Sequence, residues 1–380
     1  MTASVFHKRE TLKGNDRMMH FGPIHKLIVF SLLFLACSPS HVDEKPSKVI
    51  VFIADGAGVE QWTLAHFANA NLAVGQMPVA GLMDTRGSNH EVSASGPTAT
   101  AIATGTRSFI GAVGVGPDSL PRESLLEIAH RQDWGTGLIT TTSITDATPA
   151  SFAAHVPSRT QRIEILKQMI DLPVNVLLGG GSRMMQVIES QDLIEIQTLI
   201  EDRYTYTEDL LELKMLSQDS TANNILGLFS PGEMAMALQG RSPSLAEMTA
   251  AGIDILERHP NGFFLLIENE GSDTYAHRNL GRDVLTAEML HFDEAIRIAL
   301  SYQEKHPETL VVVTSDHETG GISLRGDEDR NIVMEYATTS HTAALVPLFA
   351  KGPGADRLGG LKRNDQVGKI LASLMDFSSD

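Results

Sequence analysis

A single cysteine, Cys37, occurs in the 380 residues. No intrachain disulfide can form, and the globular part after Cys37 has neither a thiol nucleophile nor a thiolate metal site. Basic residues are also scarce: 30 lysines and arginines against 47 aspartates and glutamates give a formal net charge of −17. Counterion release from a phosphate backbone needs a basic surface, and no basic stretch is evident along the chain, which argues against a nucleic-acid partner. The apolar run LIVFSLLFLA, Leu27 to Ala36, is too short to span a bilayer, for which about 20 residues are needed. Internal repeats and Pro/Gly/Ser-rich linkers are missing too, so one domain from Lys48 to Asp380 is the expectation. Met184 to Pro231 is the least legible segment, and a small inserted subdomain there stays open.

The short apolar run does fit a signal-peptide core, with Lys26 before it and Cys37 directly after. FLAC followed by SPS resembles a bacterial lipoprotein signal, in which the cysteine is lipidated and becomes the first mature residue. Phe34 stands where a leucine is usual, and a simple secretory signal with an incidental cysteine is the alternative. Residues 1–37 are therefore expected to be a signal region, with the true start at Met18 or Met19. SPSHVDEKPS, Ser38 to Ser47, is then a polar tether. The expected destination is outside the cytoplasm, as a periplasmic or outer-membrane lipoprotein anchored through Cys37.

From Lys48 onward, apolar runs alternate with amphipathic stretches, the βαβ signature of an α/β fold: a large, mostly parallel central sheet with helices on both faces. Strands are predicted at Lys48–Ala54, Gly135–Thr140, Val174–Gly180, Gly262–Glu268 and Thr309–Ser315. Most of these are continuous apolar runs, as strands buried on both faces should be. Helices are predicted at Val59–Ala73, Ser124–Arg131, Arg162–Ile170, Leu245–Glu257 and Arg282–Gln303.

In open parallel sheets, ligands bind beyond the carboxyl ends of the strands. KVIVFIA ends in Asp55, GFFLLI in Glu268, and TLVVVTS in Asp316 and His317. Asp273 and His277 are spaced i, i+4, which puts carboxylate and imidazole on one side of a helical turn. His341 precedes the apolar run ALVPLFA. A sulfur-free set of oxygen and nitrogen ligands suits catalytic zinc, with magnesium favoured where only oxygens converge. One aspartate after a strand is usually a cap or turn residue. His155 and His291 read as ordinary packing or surface residues. The weight lies in the set.

These segments resemble the alkaline phosphatase family. FIADGAG, VSASGPTATAIATG, TDATPASFAAHVPSR, ENEGSDTYAH, VTSDHETGG and SHTAALVPLFAKGPGA are similar to six family motifs, in the family's order. The resemblance implies phosphate-monoester hydrolysis with two zinc ions and one magnesium. It places Asp273, His277 and His341 on one zinc, and Asp316 and His317 on the second. Asp55 would bridge the second zinc to the magnesium, completed by Thr148 and Glu268, with Asp146 reaching it through water. Ser95 would be the nucleophile and Arg159 the clamp on the phosphoryl oxygens. A homodimer remains open.

No charged group lies beside Ser95, so a metal ion is its expected activator. Thr98 to Gly105 reads as the start of a helix opened by Gly96 and Pro97, which puts Ser95 near an anion-favouring N-terminus. Ser93 reads as structural. Departures from the family pattern are Ala94, where an aspartate often precedes the nucleophile; Thr274, where some members carry a lysine or an aromatic; and Thr319, where one subgroup has a histidine. The short distance from His317 to His341 leaves no room for the long crown insertion of larger members. The alternatives are a phosphodiesterase or sulfatase-like hydrolase of the same superfamily, and a non-catalytic metal-binding surface lipoprotein.

Overall fold

The computed structural model describes residues 45–375; the expected signal region, the expected lipidation at Cys37 and most of the expected tether lie outside them. The run Lys48–Ala54 forms strand β1 and divides its side chains between two cores. Val49, Val51 and Ile53 enter one, and Ile50, Phe52 and Ala54 the other. Successive residues of a strand point to opposite faces, so an unbroken apolar run is what a strand covered on both sides requires.

The next strands are β2 (Val79–Asp84), β3 (Gly135–Ser143), β4 (Val176–Gly180), β5 (Thr205–Thr207), β6 (Ile225–Leu228), β7 (Phe263–Asn269) and β8 (Thr309–Thr314). Four short strands follow: β9 (Glu318–Thr319), β10 (Ile322–Gly326), β11 (Ile332–Tyr336) and β12 (His341–Thr342). The chain then returns to the main sheet as β13 (Val346–Lys351) and β14 (Gly360–Arg363). That sheet has ten strands in the order β14-β2-β13-β8-β1-β7-β3-β4-β6-β5. Neighbours run parallel except at β13, which is antiparallel to both β8 and β2. No long insertion intervenes between β9 and β12, only the β10–β11 hairpin.

Helices cover both faces. In chain order they are α1 (Val59–Ala68), α2 (Ser95–Thr104), α3 (Leu125–Arg131), α4 (Ala147–Ala153), α5 (Arg162–Asp171), α6 (Arg183–Ser190), α7 (Ile194–Arg203) and α8 (Leu210–Gln218). They continue as α9 (Leu245–Leu256), α10 (Gly271–His277), α11 (Arg282–Lys305) and α12 (Asn364–Met375). Ile102 of α2, Leu166 of α5 and Leu371 of α12 fill one core; Trp62 of α1, Met248 of α9 and Phe292 of α11 fill the other. Among the described residues no helix is long and apolar enough to cross a membrane.

The predicted helix Val59–Ala73 stops at Ala68. Asn69 turns the chain by accepting the Asn71 N–H on its side chain at 3.0 Å, a local bond that competes with helix continuation. The predicted start at Ser124 is the cap of α3: Ser124 Oγ accepts the Glu127 N–H, and Glu127 accepts the Ser124 N–H. Met184 to Pro231 supplies three short helices, the edge strand β5 and its neighbour β6, so it extends the main sheet.

Beneath β7 and α10 lies a buried ion pair. Arg241 Nη2 donates to Glu288 Oε2 at 2.8 Å, with side chains 1% and 0% exposed. Glu288 Oε1 accepts the Ala237 N–H at 2.8 Å, and Arg241 Nε donates to Ala235 O at 2.8 Å. Removing one partner leaves a buried charge without compensation, so Glu288→Ala is expected to cost about 3–5 kcal/mol in chemical denaturation. A loss below about 1 kcal/mol would show that the pair is not a structural anchor.

Candidate active site

The carboxyl ends of four adjacent strands, β8, β1, β7 and β3, face one region. Asp55 follows β1, Glu268 lies near the end of β7, Asp316 and His317 follow β8, and Asp146 follows β3. Gly56 lets this region close: its φ is +68°, and a Cβ there would stand 2.5 Å from Asp273 Oδ1. Glycine alone tolerates both that backbone angle and that approach.

Two groups of donor atoms converge among the described residues: Asp55, Asp316 and His317, and Asp273, His317 and His341. His317 belongs to both. Its Nε2 lies 3.4 Å from Asp55 Oδ1 and 3.3 Å from Asp316 Oδ2. Asp316 is aimed by the backbone, because its Oδ1 accepts the N–H groups of Gly56 at 3.0 Å and His317 at 2.9 Å. That leaves Oδ2 facing the cluster. Asp55 Oδ1, Asp316 Oδ2, His317 Nε2 and Thr148 Oγ1 are all buried without a hydrogen-bond partner.

Buried carboxylates without partners are costly unless a cation or proton compensates them. Burial, followed by the charges of Asp316, Asp273 and Glu268, pushes the Asp55 carboxyl well above its usual range. Glu268, buried and accepting from Thr140 Oγ1 at 2.5 Å, is pushed up to about 8, chiefly by that burial. These residues fit divalent cations: carboxyl oxygens and imidazole nitrogens already face one another, and a metal would replace the protons.

His277 is in neither converging set, but three ring and carboxylate contacts join it to Asp273 and His341 of the second group. His277 Nε2 lies 3.3 Å from Asp273 Oδ2 and 3.0 Å from His341 Nε2, and His341 Nε2 lies 3.8 Å from Asp273 Oδ1. His277 Nδ1 is 2.6 Å from Thr339 O, and His341 Nδ1 is 2.8 Å from Ser93 O. A carbonyl only accepts, so each Nδ1 carries a proton and each Nε2 turns inward as a ligand when the ring is neutral. Contact with Asp273 pushes His277 up to about 9. Burial opposes ionisation of Asp273, yet the contact with His277 and the charges of His317 and His277 hold its carboxyl down at about 2.

The His341–Ser93 bond ties this group to the segment carrying Ser95. The helix starts at Ser95 itself, three residues before the predicted Thr98, because Ala94 is its extended N-cap. Ser95 is 6% exposed, and no hydrogen bond within the described residues holds its Oγ. Ser93 is occupied structurally, since its Oγ accepts from Thr98 Oγ1 at 2.8 Å. Gly96 accepts from Ser151 Oγ of α4 at 3.2 Å, so the starts of α2 and α4 sit side by side.

Asp146 caps α4 and accepts from Arg159, whose guanidinium also feels the charges of Asp55 and Glu268. His155 is structural: it contacts Glu127 at 2.9 Å and Gly114 O at 2.7 Å. The sequence reading singled out Thr274 and Thr319 as departures but not their supporting contacts, and it missed Glu318 and Glu270. Thr319 Oγ1 donates to Asp273 and lies 3.2 Å from His317 Nδ1. Glu318 accepts from Thr342 and from the N–H of Ile322 at 3.1 Å, fixing the β9–β12 pair that carries His341. Thr274 donates to Glu270, a buried carboxyl raised well above its usual range by that burial. Their positions beside the motifs were the available signal.

The alkaline phosphatase family profile matches residues 47–335. Alkaline phosphatase 4 of Bacillus subtilis is 31% identical over 75% of this chain and 64% of its own. Streptomycin-6-phosphate phosphatase of Streptomyces griseus is 29% identical over 86% of this chain and 90% of its own. The chain spans less than two thirds of the first of these and 90% of the second. Alkaline phosphatase from the Antarctic bacterium TAB5 superposes with a TM-score of 0.80 at 31% identity, covering 87% of this chain and 98% of that one. Variants of that enzyme have been solved with magnesium bound in a site designated M3.

Proposed function

Because the chain belongs to the alkaline phosphatase family, we propose that it is a metal-dependent phosphomonoesterase that transfers a phosphoryl group to Ser95 and then to water. The observation that carries this reading is the pair of donor groups sharing His317, with their unpartnered buried atoms, tied through His341 to the start of α2.

Asp273, His277 and His341 would hold one zinc, and Asp316 and His317 a second. Asp55, Thr148 and Glu268 would hold a magnesium, with Asp55 also facing the second zinc's residues and Asp146 supporting the magnesium site from outside its direct ligands. Bound there, divalent cations supply Lewis acidity: they lower the pKa of a coordinated hydroxyl or water and neutralise charge on the phosphoryl and leaving oxygens.

The chain's own residues do the rest. Ser95 Oγ loses its proton and forms the bond to phosphorus, while the ester P–O bond breaks and the alcohol leaves with that electron pair. A water then forms a bond to the same phosphorus and releases Ser95 and inorganic phosphate. The amides at the start of α2 favour an anion at Ser95. Arg159 offers a planar pair of donors to the non-bridging oxygens, whose charge stays high in a loose transition state. Without a crown insertion the site suits broad monoester specificity. Export and anchoring through Cys37 complete the reading.

A dianionic monoester matches Arg159 better than a monoanionic diester or sulfate ester. On metal-defined protein, kcat/KM for p-nitrophenyl phosphate should exceed that for bis-p-nitrophenyl phosphate and p-nitrophenyl sulfate by at least about 100-fold. Equal or faster diester turnover would favour the phosphodiesterase alternative.

A further inference from the structure

Arg159 has no side chain beside the nucleophile to lean on, since position 94 is alanine. Its orientation rests on Asp146, which stands between two guanidiniums. Asp146 Oδ1 accepts from Arg159 Nη2, and Oδ2 accepts from Arg162 Nη2 at 3.0 Å. The carboxylate is itself anchored in backbone: Oδ1 also accepts the Ala147 N–H at 2.7 Å, and the Asp146 N–H donates to Ser143 O at 2.8 Å.

Arg162 opens α5, whose Ile165, Leu166, Met169 and Ile170 are buried, so its origin is rigid. The Arg159 backbone is pinned separately by its N–H to Gly111 O at 2.8 Å. The side chains of Arg159 and Arg162 are 37% and 42% exposed, so neither guanidinium is locked by burial and each depends on its ion pair for orientation.

We infer that Arg162 is a positioning residue, acting through Asp146 to orient Arg159 toward the phosphoryl oxygens. The inference rests on the phosphomonoesterase reading and on two physical effects. A carboxylate torsion is broad and roughly two-fold, so Asp146 gripped on one oxygen would leave Arg159 free to swing; a grip on both oxygens removes that freedom. The second effect is charge. Asp146 alone would cancel Arg159, whereas the three groups together keep one net positive charge facing a phosphoryl dianion.

The test is calorimetric binding of inorganic phosphate to metal-loaded wild type, Arg162→Ala, Arg162→Lys, Asp146→Asn and the Arg162→Ala/Asp146→Asn double variant, with thermal melts as a folding control. Arg162→Ala should weaken phosphate binding about tenfold, because misorienting a bidentate donor by about an ångström is costly. Arg162→Lys should recover part of the loss. In the Asp146→Asn background, Arg162→Ala should add less than about twofold. Wild-type affinity in Arg162→Ala would overturn the inference. So would a full tenfold loss persisting without the Asp146 carboxylate, which would mean that Arg162 touches the anion directly. Binding is read without turnover, so a wild type that binds phosphate through this brace but hydrolyses no monoester overturns the proposed function alone. A wild type that binds no phosphate overturns both.

Discussion

Ser95→Ala is expected to lower turnover of p-nitrophenyl phosphate by about 10⁴-fold or more while leaving bound metal unchanged. Ser95 is the first residue of α2, nearly buried, and placed against the cluster by the His341–Ser93 bond. None of the metal-ligand candidates changes in this variant. Its kcat and its metal content together therefore separate loss of the nucleophile from loss of the metals. A non-catalytic metal-binding lipoprotein keeps the metal and has no turnover to lose; the phosphatase keeps the metal and loses the chemistry. Turnover within about tenfold of wild type would remove Ser95 from the reaction.

His317→Ala should strip metal from both groups at once and lower turnover by about 10³-fold or more. His317 is fully buried, its ring stacks on His341 with centroids 3.6 Å apart, and its Nε2 contacts both Asp55 and Asp316. It is common to both donor groups. Losing it removes one ligand and also the ring that packs His341 in place. Elemental analysis after dialysis should show a deficit beyond one ion per chain. Wild-type stoichiometry would mean that the two groups are held independently of His317. A thermal melt of the metal-free variant against metal-free wild type separates metal loss from misfolding.

The central strands were legible because burial on both faces writes itself as an unbroken apolar run, as in KVIVFIA and TLVVVT. Most of the candidate ligands were legible because they follow such a run, as Asp55, Asp316 and His317 do, or sit one helical turn from a partner, as Asp273 and His277 do. Edge elements were not. β5 and β6 have three and four residues, too few for a period to develop. β2 is only half buried and contains a glycine, so neither alternation nor an apolar run marks it. The end of α1 depended on one local bond from Asn69, which a periodic pattern carries straight through.

At the site, sequence order gave residue types but not partners. Arg162 was only the first residue of a predicted helix, and Asp146 was expected near the magnesium; only the fold brings Arg159, Asp146 and Arg162 together. Thr319 illustrates the same limit. Its place after His317 and Glu318 was visible, yet its bond to Asp273 joins residues 46 positions apart. The threonine hydroxyl thereby supports a carboxylate and an imidazole from the two donor groups with one short side chain.

The central claim is that phosphate passes through Ser95. It is tested most directly by mixing metal-loaded protein with p-nitrophenyl phosphate, quenching in acid during turnover, and mapping phosphate by peptide mass spectrometry. The account predicts phosphoserine at Ser95, none at the neighbouring Ser93, and none in Ser95→Ala. Turnover with no covalent phosphate on the chain, or with phosphate on another residue, would contradict it.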